Sequence, residues 1–182
     1  ASKSANSIFK IPGAFDDVPP NGAVDVAWNG SFWVAVGSVL DPDEIEQSKG
    51  KIATSKDGIN WVQDSPSPVI PYSFHGEVVS APWIVKTSDG WMMWYSFRGS
   101  STLENKNYSP GLATSPDGLL WSRCDQEVGI EKSKAGWDSE MICYPTIFNS
   151  GDKTFMFYSG NGVGKGGIGY AVAKNKLDIA DW

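Results

Sequence analysis

The sequence predicts an all-β fold in which one short unit is repeated along the chain. Residues 52–61 (Ile-Ala-Thr-Ser-Lys-Asp-Gly-Ile-Asn-Trp) return 60 positions later as residues 112–121, and a decayed copy starts another 58 positions on, at Tyr170. Nine tryptophans and twenty glycines in 182 residues suit short strands and tight turns, and no long stretch has helical apolar spacing. A fixed long period indicates a repeated supersecondary unit that buries its apolar face against its neighbours.

Unit one covers approximately residues 22–68. We expect a first strand at 24–28, followed by a hairpin at Asn29-Gly30, because Asn-Gly is the strongest short hairpin signal. The second strand is predicted at 32–37. After a charged loop, the third strand begins at Ile52, and Trp61-Val62-Gln63 supplies the fourth.

Unit two, approximately residues 75–128, shows the same plan most clearly. Asp89-Gly90 and Pro116-Asp117-Gly118 are turn sequences, and a long polar loop separates the second strand from the third. The four predicted strands are residues 77–85, 91–96, 111–115 and 119–123.

Unit three, approximately residues 137–182, keeps the internal spacing of unit two. Glu140 precedes Pro145 by five positions, just as Glu77 precedes Pro82. The predicted second and third strands are residues 155–159 and 167–171. The sequence stops at Trp182, before a fourth strand is complete, and residues 7–12 could supply that strand from this chain or a neighbouring one.

Repeated units of four antiparallel strands are typical of β-propeller blades. A β-sandwich also uses short strands and frequent turns, but the long period and the shared internal spacing favour a propeller. Three blades are fewer than the usual range of about four to eight. We therefore expect a single propeller-type domain that is either part of a longer ring or a ring completed by a second chain, as in a homo-oligomer.

Composition excludes several classes of function. The net charge of −6 argues against nucleic acid and anionic membranes as partners, and no apolar run is long enough for a spanning helix. We expect a soluble protein, either cytoplasmic or secreted with its signal already removed. Cys124 and Cys143 could form one disulfide, but with a single histidine they make a zinc site improbable. The glycine-rich residues 160–167 lack the Ser or Thr and the helix of a phosphate loop.

Asp57 and Asp117 are predicted to cap turns rather than to take part in chemistry. Each is followed by a glycine that can adopt positive φ. Trp61 and Trp121, three residues beyond those glycines, are expected to pack between blades rather than to bind sugars.

The repeated phrase Ala-Thr-Ser-x-Asp-Gly-x-x-Trp, after a strand ending in Tyr-Ser, resembles the five-bladed propellers of glycoside hydrolase families 43, 32, 62, 68 and 130. Residues 137–145 and 155–162 look like later blades of such proteins, and the resemblance covers approximately residues 22–182. It implies a carbohydrate-active protein that acts on an oligosaccharide or glycoside without a redox cofactor. Whether calcium lies in a central channel is left open.

Cleavage of a glycoside needs two carboxyl groups, one protonated and one ionised. Glu77 and Glu140 lie at equivalent positions near the first strands of adjacent units, so both are expected to face the central cavity. The resemblance implies an inner-strand base, for which Asp25 is the only match, although Asp25 lacks the Pro expected after it. Alternatively, Glu77 bonds backbone N–H groups or pairs with Arg98 or Arg123.

Five further residues are candidates for substrate binding. Trp137 lies in a polar loop where its ring could stack on a sugar, and Arg98 could bind an anionic group bidentately. His75 could contact a sugar hydroxyl or tune Glu77, although a lone histidine is more often an ordinary loop residue. The full set is His75, Arg98, Trp137, Asp138 and Tyr144.

Three functions stay open at this point. The chain is predicted to hydrolyse a glycosidic bond, with Glu77, Glu140 and Asp25 as the catalytic residues. It could instead be a carbohydrate-binding propeller without catalysis, or a structural module whose ring a second chain completes. The sequence determines neither the sugar nor the stereochemical outcome.

Overall fold

The chain folds into antiparallel sheets in the residues that the computed structural model describes, which are 22–28, 33–40, 48–63, 68–99 and 106–179. The first sheet contains β1 (Gly22–Trp28), β2 (Trp33–Leu40), β3 (Ser48–Ser55) and β4 (Val62–Gln63). The second contains β5 (Glu77–Thr87), β6 (Gly90–Gly99), β7 (Ser109–Ser115) and β8 (Ser122–Arg123). The third contains β9 (Cys143–Ser150), β10 (Lys153–Ser159) and β11 (Ile168–Val172).

In each sheet the strands are hydrogen-bonded in chain order, as in a propeller blade. The predicted all-β fold with blade-like units is confirmed. A 3₁₀ turn at Asp125–Glu127 follows the second sheet. The predicted closing strand at residues 7–12 lies outside the described residues.

The Asp turns explain why the predicted fourth strand of unit two shrinks to two residues. Asp117 Oδ1 accepts hydrogen bonds from the N–H groups of Leu119 and Leu120, at 2.8 and 2.9 Å. Ser115 Oγ accepts from Gly118 N at 2.8 Å, so these residues form a side-chain-capped turn instead of extending a strand. The backbone donors lower the pKa of Asp117.

Unit one repeats this turn with the same partners. Asp57 Oδ1 accepts from the N–H groups of Ile59 and Asn60, at 2.8 and 2.7 Å, and these bonds lower the pKa of Asp57. The predicted capping role of Asp57 and Asp117 is therefore confirmed. Trp121 donates from Nε1 to the carbonyl of Gly118 and packs against the core between the first two sheets, which confirms its packing role.

The sheets stack face to face through two apolar clusters. Between the first and second sheets, Val34 and Ile52 meet β5 and β6 residues such as Ile84 and Met93. Between the second and third sheets, Trp94 and Ile147 form the centre of a smaller cluster. Because side chains alternate between the faces of a strand, the second sheet supplies both interfaces.

The outer face of the third sheet stays open. Phe157 and Tyr170 occupy the positions that Trp94 and Leu112 hold in the second sheet, yet they are 40% and 61% exposed. Phe157 and Tyr170 pack against each other, with ring centroids 5.9 Å apart. The described sheets therefore form part of a ring and not a closed one.

Unit three ends differently from the first two units. Between β11 and Ile179, where the described chain ends, no turn like those of Asp57 and Asp117 forms; the chain crosses toward the second sheet, where Ile179 bridges to Thr87 of β5. Leu177 N donates to Thr154 Oγ1 at 2.8 Å, and Leu177 O accepts from Asn149 at 3.0 Å. Leu177 and Ile179 also pack against the second cluster, so this segment seals the hairpin end of the sheet interface.

A β-bulge recurs in the first strand of each unit. In β5 and β9 the bulged residues Ala81 and Tyr144, each directly before a proline, have φ of 49° and 58°. In β1 the register shifts between Ala23 and Asp25. Bulges re-aim side chains and are common beside functional sites, and positive φ at a non-glycine residue stores strain of roughly 1–3 kcal/mol.

We expect Trp83→Phe to weaken the contact between the second and third sheets. Trp83 Nε1 donates to the Ile147 carbonyl of the next sheet at 2.9 Å, so losing it should lower the free energy of unfolding by about 1 kcal/mol. Urea denaturation measures this loss. Trp61→Phe is the matched control, because the partner of Trp61 Nε1 among the described residues is the Gly58 carbonyl of its own turn. Equal losses in the two variants would contradict the inter-sheet role.

Candidate functional site

Glu77 is fully buried and is held by a bidentate ion pair. Its two carboxylate oxygens accept from Nη1 and Nη2 of Arg123, at 2.8 and 2.9 Å. The backbone N–H and hydroxyl of Ser73 donate to the same carboxylate, at 2.8 and 3.1 Å. Arg123 also donates to the carbonyl of Pro71 at 2.9 Å. The innermost strand β5 is thereby tied at its entrance to the outermost strand β8 and to the segment before it.

A second carboxylate extends this network. Asp125 accepts two bonds from Arg123, from Nε at 3.0 Å and Nη2 at 2.6 Å, and it also accepts from the Tyr95 hydroxyl and from Leu112 N. Burial and the bond to Asp125 raise the pKa of Tyr95 above its ordinary range. A Cβ at Gly111 would clash with the Tyr95 ring, which explains the glycine at that position.

Of the two roles the sequence leaves open for Glu77, the structure shows the pairing with Arg123. A general acid or base must come within hydrogen-bond reach of the substrate, and the Glu77 side chain has no exposed surface. Its catalytic role stays a prediction, and the contacts described here explain its presence without it.

Glu140 lies in different surroundings. It is exposed and precedes β9 by three residues, so it is not inside the strand that it was expected to open. The side chain of Asn161 explains the difference, because its Oδ1 accepts from the N–H groups of Glu140 and Met141, at 2.8 and 3.0 Å. Asn161 also donates to the Gly136 carbonyl at 2.9 Å. One amide thus fixes the loop that carries the Glu140 carboxylate.

Trp137 and Asp138 share a second set of contacts in this loop. The Trp137 ring stacks on Tyr158, with centroids 5.3 Å apart and planes 18° apart, yet the residue is 37% exposed. Asp138 is buried and accepts from the Tyr158 hydroxyl at 3.0 Å. A Cβ at Gly160 or Gly169 would overlap the indole, so the two glycines make room for it.

Arg98 and Tyr144 meet through Tyr108. The Arg98 guanidinium lies 5.2 Å from the centroid of the Tyr108 ring, and the two tyrosine rings are 5.7 Å apart. Tyr144 is the strained bulge residue, and its N–H donates to Ser96 Oγ of the second sheet at 2.8 Å. Burial, then the neighbouring Tyr108, raises the pKa of Tyr144 to about 12.

The segment 137–144 joins these contacts into one site, which we call the unit-three entrance: Arg98, Tyr108, Trp137, Asp138, Glu140, Tyr144, Tyr158 and Asn161. The N–H of Ile142 donates to the Tyr108 carbonyl at 3.4 Å and anchors the segment between its two sides. The structure thus brings together Arg98 and Tyr144, and separately Trp137 and Asp138, all among the predicted binding residues.

Two predicted residues, Asp25 and His75, lie on elements outside the segment 137–144. Asp25 of β1 pairs with Val36 of β2, at the level that Trp83 holds in β5. Along β6 this level, at Trp94, is five residues from Gly99, the partner of Glu77. At about 3.3 Å per residue this is roughly 17 Å along the strand, so Asp25 and Glu77 do not share one level of the blades. His75 is exposed in the turn before Glu77, and its binding role stays a prediction.

Sequence reasoning missed Tyr108, Tyr158 and Asn161. The internal spacing offered a signal for Asn161. Unit three repeats unit two with an offset of 63 positions, and Asn161 is the residue that this offset aligns with Arg98. No local sequence pattern pointed to Tyr108. It follows a long loop, so the sequence does not predict that it lies beside Arg98 and Tyr144.

Other predicted features have simpler outcomes. Cys124 and Cys143 are both free thiols, so the alternative of a disulfide between them is wrong, and burial raises the pKa of Cys143 to about 11. Within the described ranges, no group of three or more His, Cys, Asp or Glu residues is arranged to hold a metal ion. No helix in that part of the chain is long and apolar enough to cross a bilayer.

The chain is similar in sequence to uncharacterized proteins of Mycobacterium tuberculosis. Rv1502 and MT1551, from two strains of that organism, are each 34% identical to it over 125 residues, or 69% of this chain. The chain spans 40% of the length of these relatives. No protein-family model matches the sequence.

Solved structures show the same fold. Zg3597, a family 117 glycoside hydrolase of Zobellia galactanivorans, has a TM-score of 0.66 at 17% identity, over 85% of this chain and 53% of that protein. The GH32 β-fructofuranosidase BmSUC1 of Bombyx mori has a TM-score of 0.61 at 22% identity, over 89% and 36% of the two chains. The chain therefore has the fold of part of a glycoside hydrolase β-propeller, as the sequence resemblance implied.

We expect Glu77→Gln to destabilise the fold. The substitution leaves the partly buried Arg123 with Asp125 as its remaining carboxylate partner, so the free energy of unfolding should fall by about 3 kcal/mol, the low end for a broken buried pair. Denaturant unfolding measures it, with the exposed Glu140→Gln as the control. Unchanged stability in Glu77→Gln would contradict the anchoring role.

Alkaline pH should also reveal this network. Because folding raises the pKa of Tyr95, the stability it contributes is fully present below the unfolded value of about 10 and is lost as pH rises above it. Stability should therefore fall above pH 10, and Tyr95→Phe should make that fall shallower. Denaturant melts at several pH values between 8 and 11 measure the slope. If stability falls equally steeply with pH in the wild type and in Tyr95→Phe, Tyr95 does not contribute to the loss of stability at alkaline pH.

Proposed function

We propose that this chain carries part of a carbohydrate site and takes part in cleaving a glycosidic bond at the unit-three entrance. The observation that carries the proposal is the loop fixed by Asn161, which carries Trp137 and Glu140 three residues apart, both of them exposed. Sugars offer apolar C–H faces that stack on aromatic rings, and bond cleavage needs a carboxyl group within reach. The fold shared with glycoside hydrolases supports this assignment.

Each entrance residue has a proposed task. Trp137, held flat against Tyr158, provides a rigid platform for a sugar ring. Glu140 is the proposed proton donor or acceptor, and its backbone N–H is fixed by Asn161 in the loop that also carries Trp137. Asp138 is buried against the Tyr158 hydroxyl and acts as a positioning residue. The second catalytic carboxylate would be Asp25 or a residue beyond this chain.

A carbohydrate-binding role without catalysis is the second candidate. The specific observation in its favour is Glu77, whose two oxygens are occupied by Arg123 and Ser73. If no other carboxylate takes part, the entrance would bind a sugar without cleaving it.

Glu140→Gln should abolish glycoside hydrolysis while leaving sugar binding intact, because the amide keeps the size of the side chain but cannot exchange a proton. Release of reducing sugar from a panel of oligosaccharides and aryl glycosides measures cleavage, and isothermal titration measures binding. Glu131→Gln, exposed on the loop before Trp137, is the matched control. Wild-type turnover in Glu140→Gln would contradict the catalytic assignment, and absence of turnover in the wild-type chain would favour the second candidate.

A further inference from the structure

Two arginines of the second sheet have opposite surroundings. Arg123 pairs with two carboxylates, Glu77 and Asp125. Arg98 donates from Nη1 to the Gly99 carbonyl at 2.7 Å and stacks on Tyr108, and no carboxylate among the described residues pairs with it. A guanidinium carries five N–H donors, and among the described residues Arg98 directs one of them to an acceptor, the Gly99 carbonyl.

Aromatic rings flank this cation. Tyr108 supports the guanidinium from one side, and Tyr144 lies next to Tyr108 with 37% of its surface exposed. In unit two the position equivalent to Tyr144 is Ala81, which has the same positive φ. Strands β5 and β9 therefore share the strained backbone conformation, but of these two strands only β9 has an aromatic residue at the strained position.

We propose that Arg98, Tyr108 and Tyr144 form a subsite for the carboxylate of an acidic sugar, a uronic acid unit of the glycan that the entrance binds. The proposal rests on the proposed function only in placing a sugar at this entrance. The guanidinium fork matches a carboxylate bidentately, and the exposed Tyr144 ring offers a stacking face to the pyranose that carries it.

Charge supports an anionic ligand at this place. The Tyr144 hydroxyl, like that of an ordinary tyrosine with a pKa of about 10, is neutral at pH 7 and does not repel a carboxylate. The chain as a whole carries a net charge of −6, so an anionic glycan would be disfavoured elsewhere and needs a local cation. Arg98 supplies that cation beside the Tyr108 ring.

The test compares matched pairs of oligosaccharides by isothermal titration. Oligogalacturonate, heparosan and alginate oligomers are each measured against their carboxyl-reduced forms, which keep the sugar rings but lose the charge. We expect at least one acidic oligomer to bind roughly ten- to a hundredfold more tightly than its reduced form, the range of a bidentate charged contact. Arg98→Gln should remove this preference, and Arg98→Lys should restore only part of it.

The control is Lys132→Gln, which removes an exposed cation from the neighbouring loop and should leave the preference unchanged. Thermal melts establish that Arg98→Gln is folded. Equal affinity for both members of every pair, or a preference that survives Arg98→Gln, would overturn the proposal. Competition by inorganic phosphate at equal strength would assign the subsite to phosphate and overturn it as well.

The outcomes separate this inference from the proposed function. Arg98-dependent binding of acidic sugars without hydrolysis would support the subsite and refute cleavage. Hydrolysis of neutral oligosaccharides that is unaffected by Arg98→Gln would support cleavage and refute the subsite. Failure of every oligosaccharide to bind would refute both.

Discussion

The buried ion pair between Glu77 and Arg123 is the interaction on which the geometry of the second sheet depends. It joins the innermost and outermost strands of one blade across their shared entrance, and Ser73 completes the coordination of the carboxylate. An ion pair this deeply buried costs desolvation energy that is recovered only when nearly every donor and acceptor is matched. Asp125 and Tyr95 supply the additional hydrogen bonds that this matching requires. The network therefore fixes β5 and β8 to each other at the entrance of the blade.

A rigid second blade gives the third a fixed surface to pack on. The first strand of unit three crosses the face of the second sheet, where Trp83 and Trp94 meet Ile147, and Ser96 accepts the N–H of the bulged Tyr144. The strain at that bulge is offset by these contacts. The bulge places the Tyr144 side chain against Tyr108, which in turn contacts Arg98 of the second sheet.

The sequence repeat predicted much of the fold but fewer of the contacts in the candidate site. Repeated turn sequences predicted the sheets and the capping by Asp57 and Asp117, because such turns are local chemistry that a short segment determines by itself. The partners of Glu77 and Glu140 depend on which distant side chains arrive beside them. Equal spacing could not show that Arg123 reaches one while the amide of Asn161 arranges the backbone of the other. Equivalent positions in a repeat therefore carry different roles.

The most direct test of the account is the structure of the chain with a hydrolysis-resistant thio-oligosaccharide bound. The account predicts a sugar ring stacked on Trp137, the Glu140 carboxylate within hydrogen-bond distance of the scissile linkage, and the Glu77–Arg123 pair unchanged. A sugar bound elsewhere, or one that draws Glu77 away from Arg123 to contact the substrate, would contradict it.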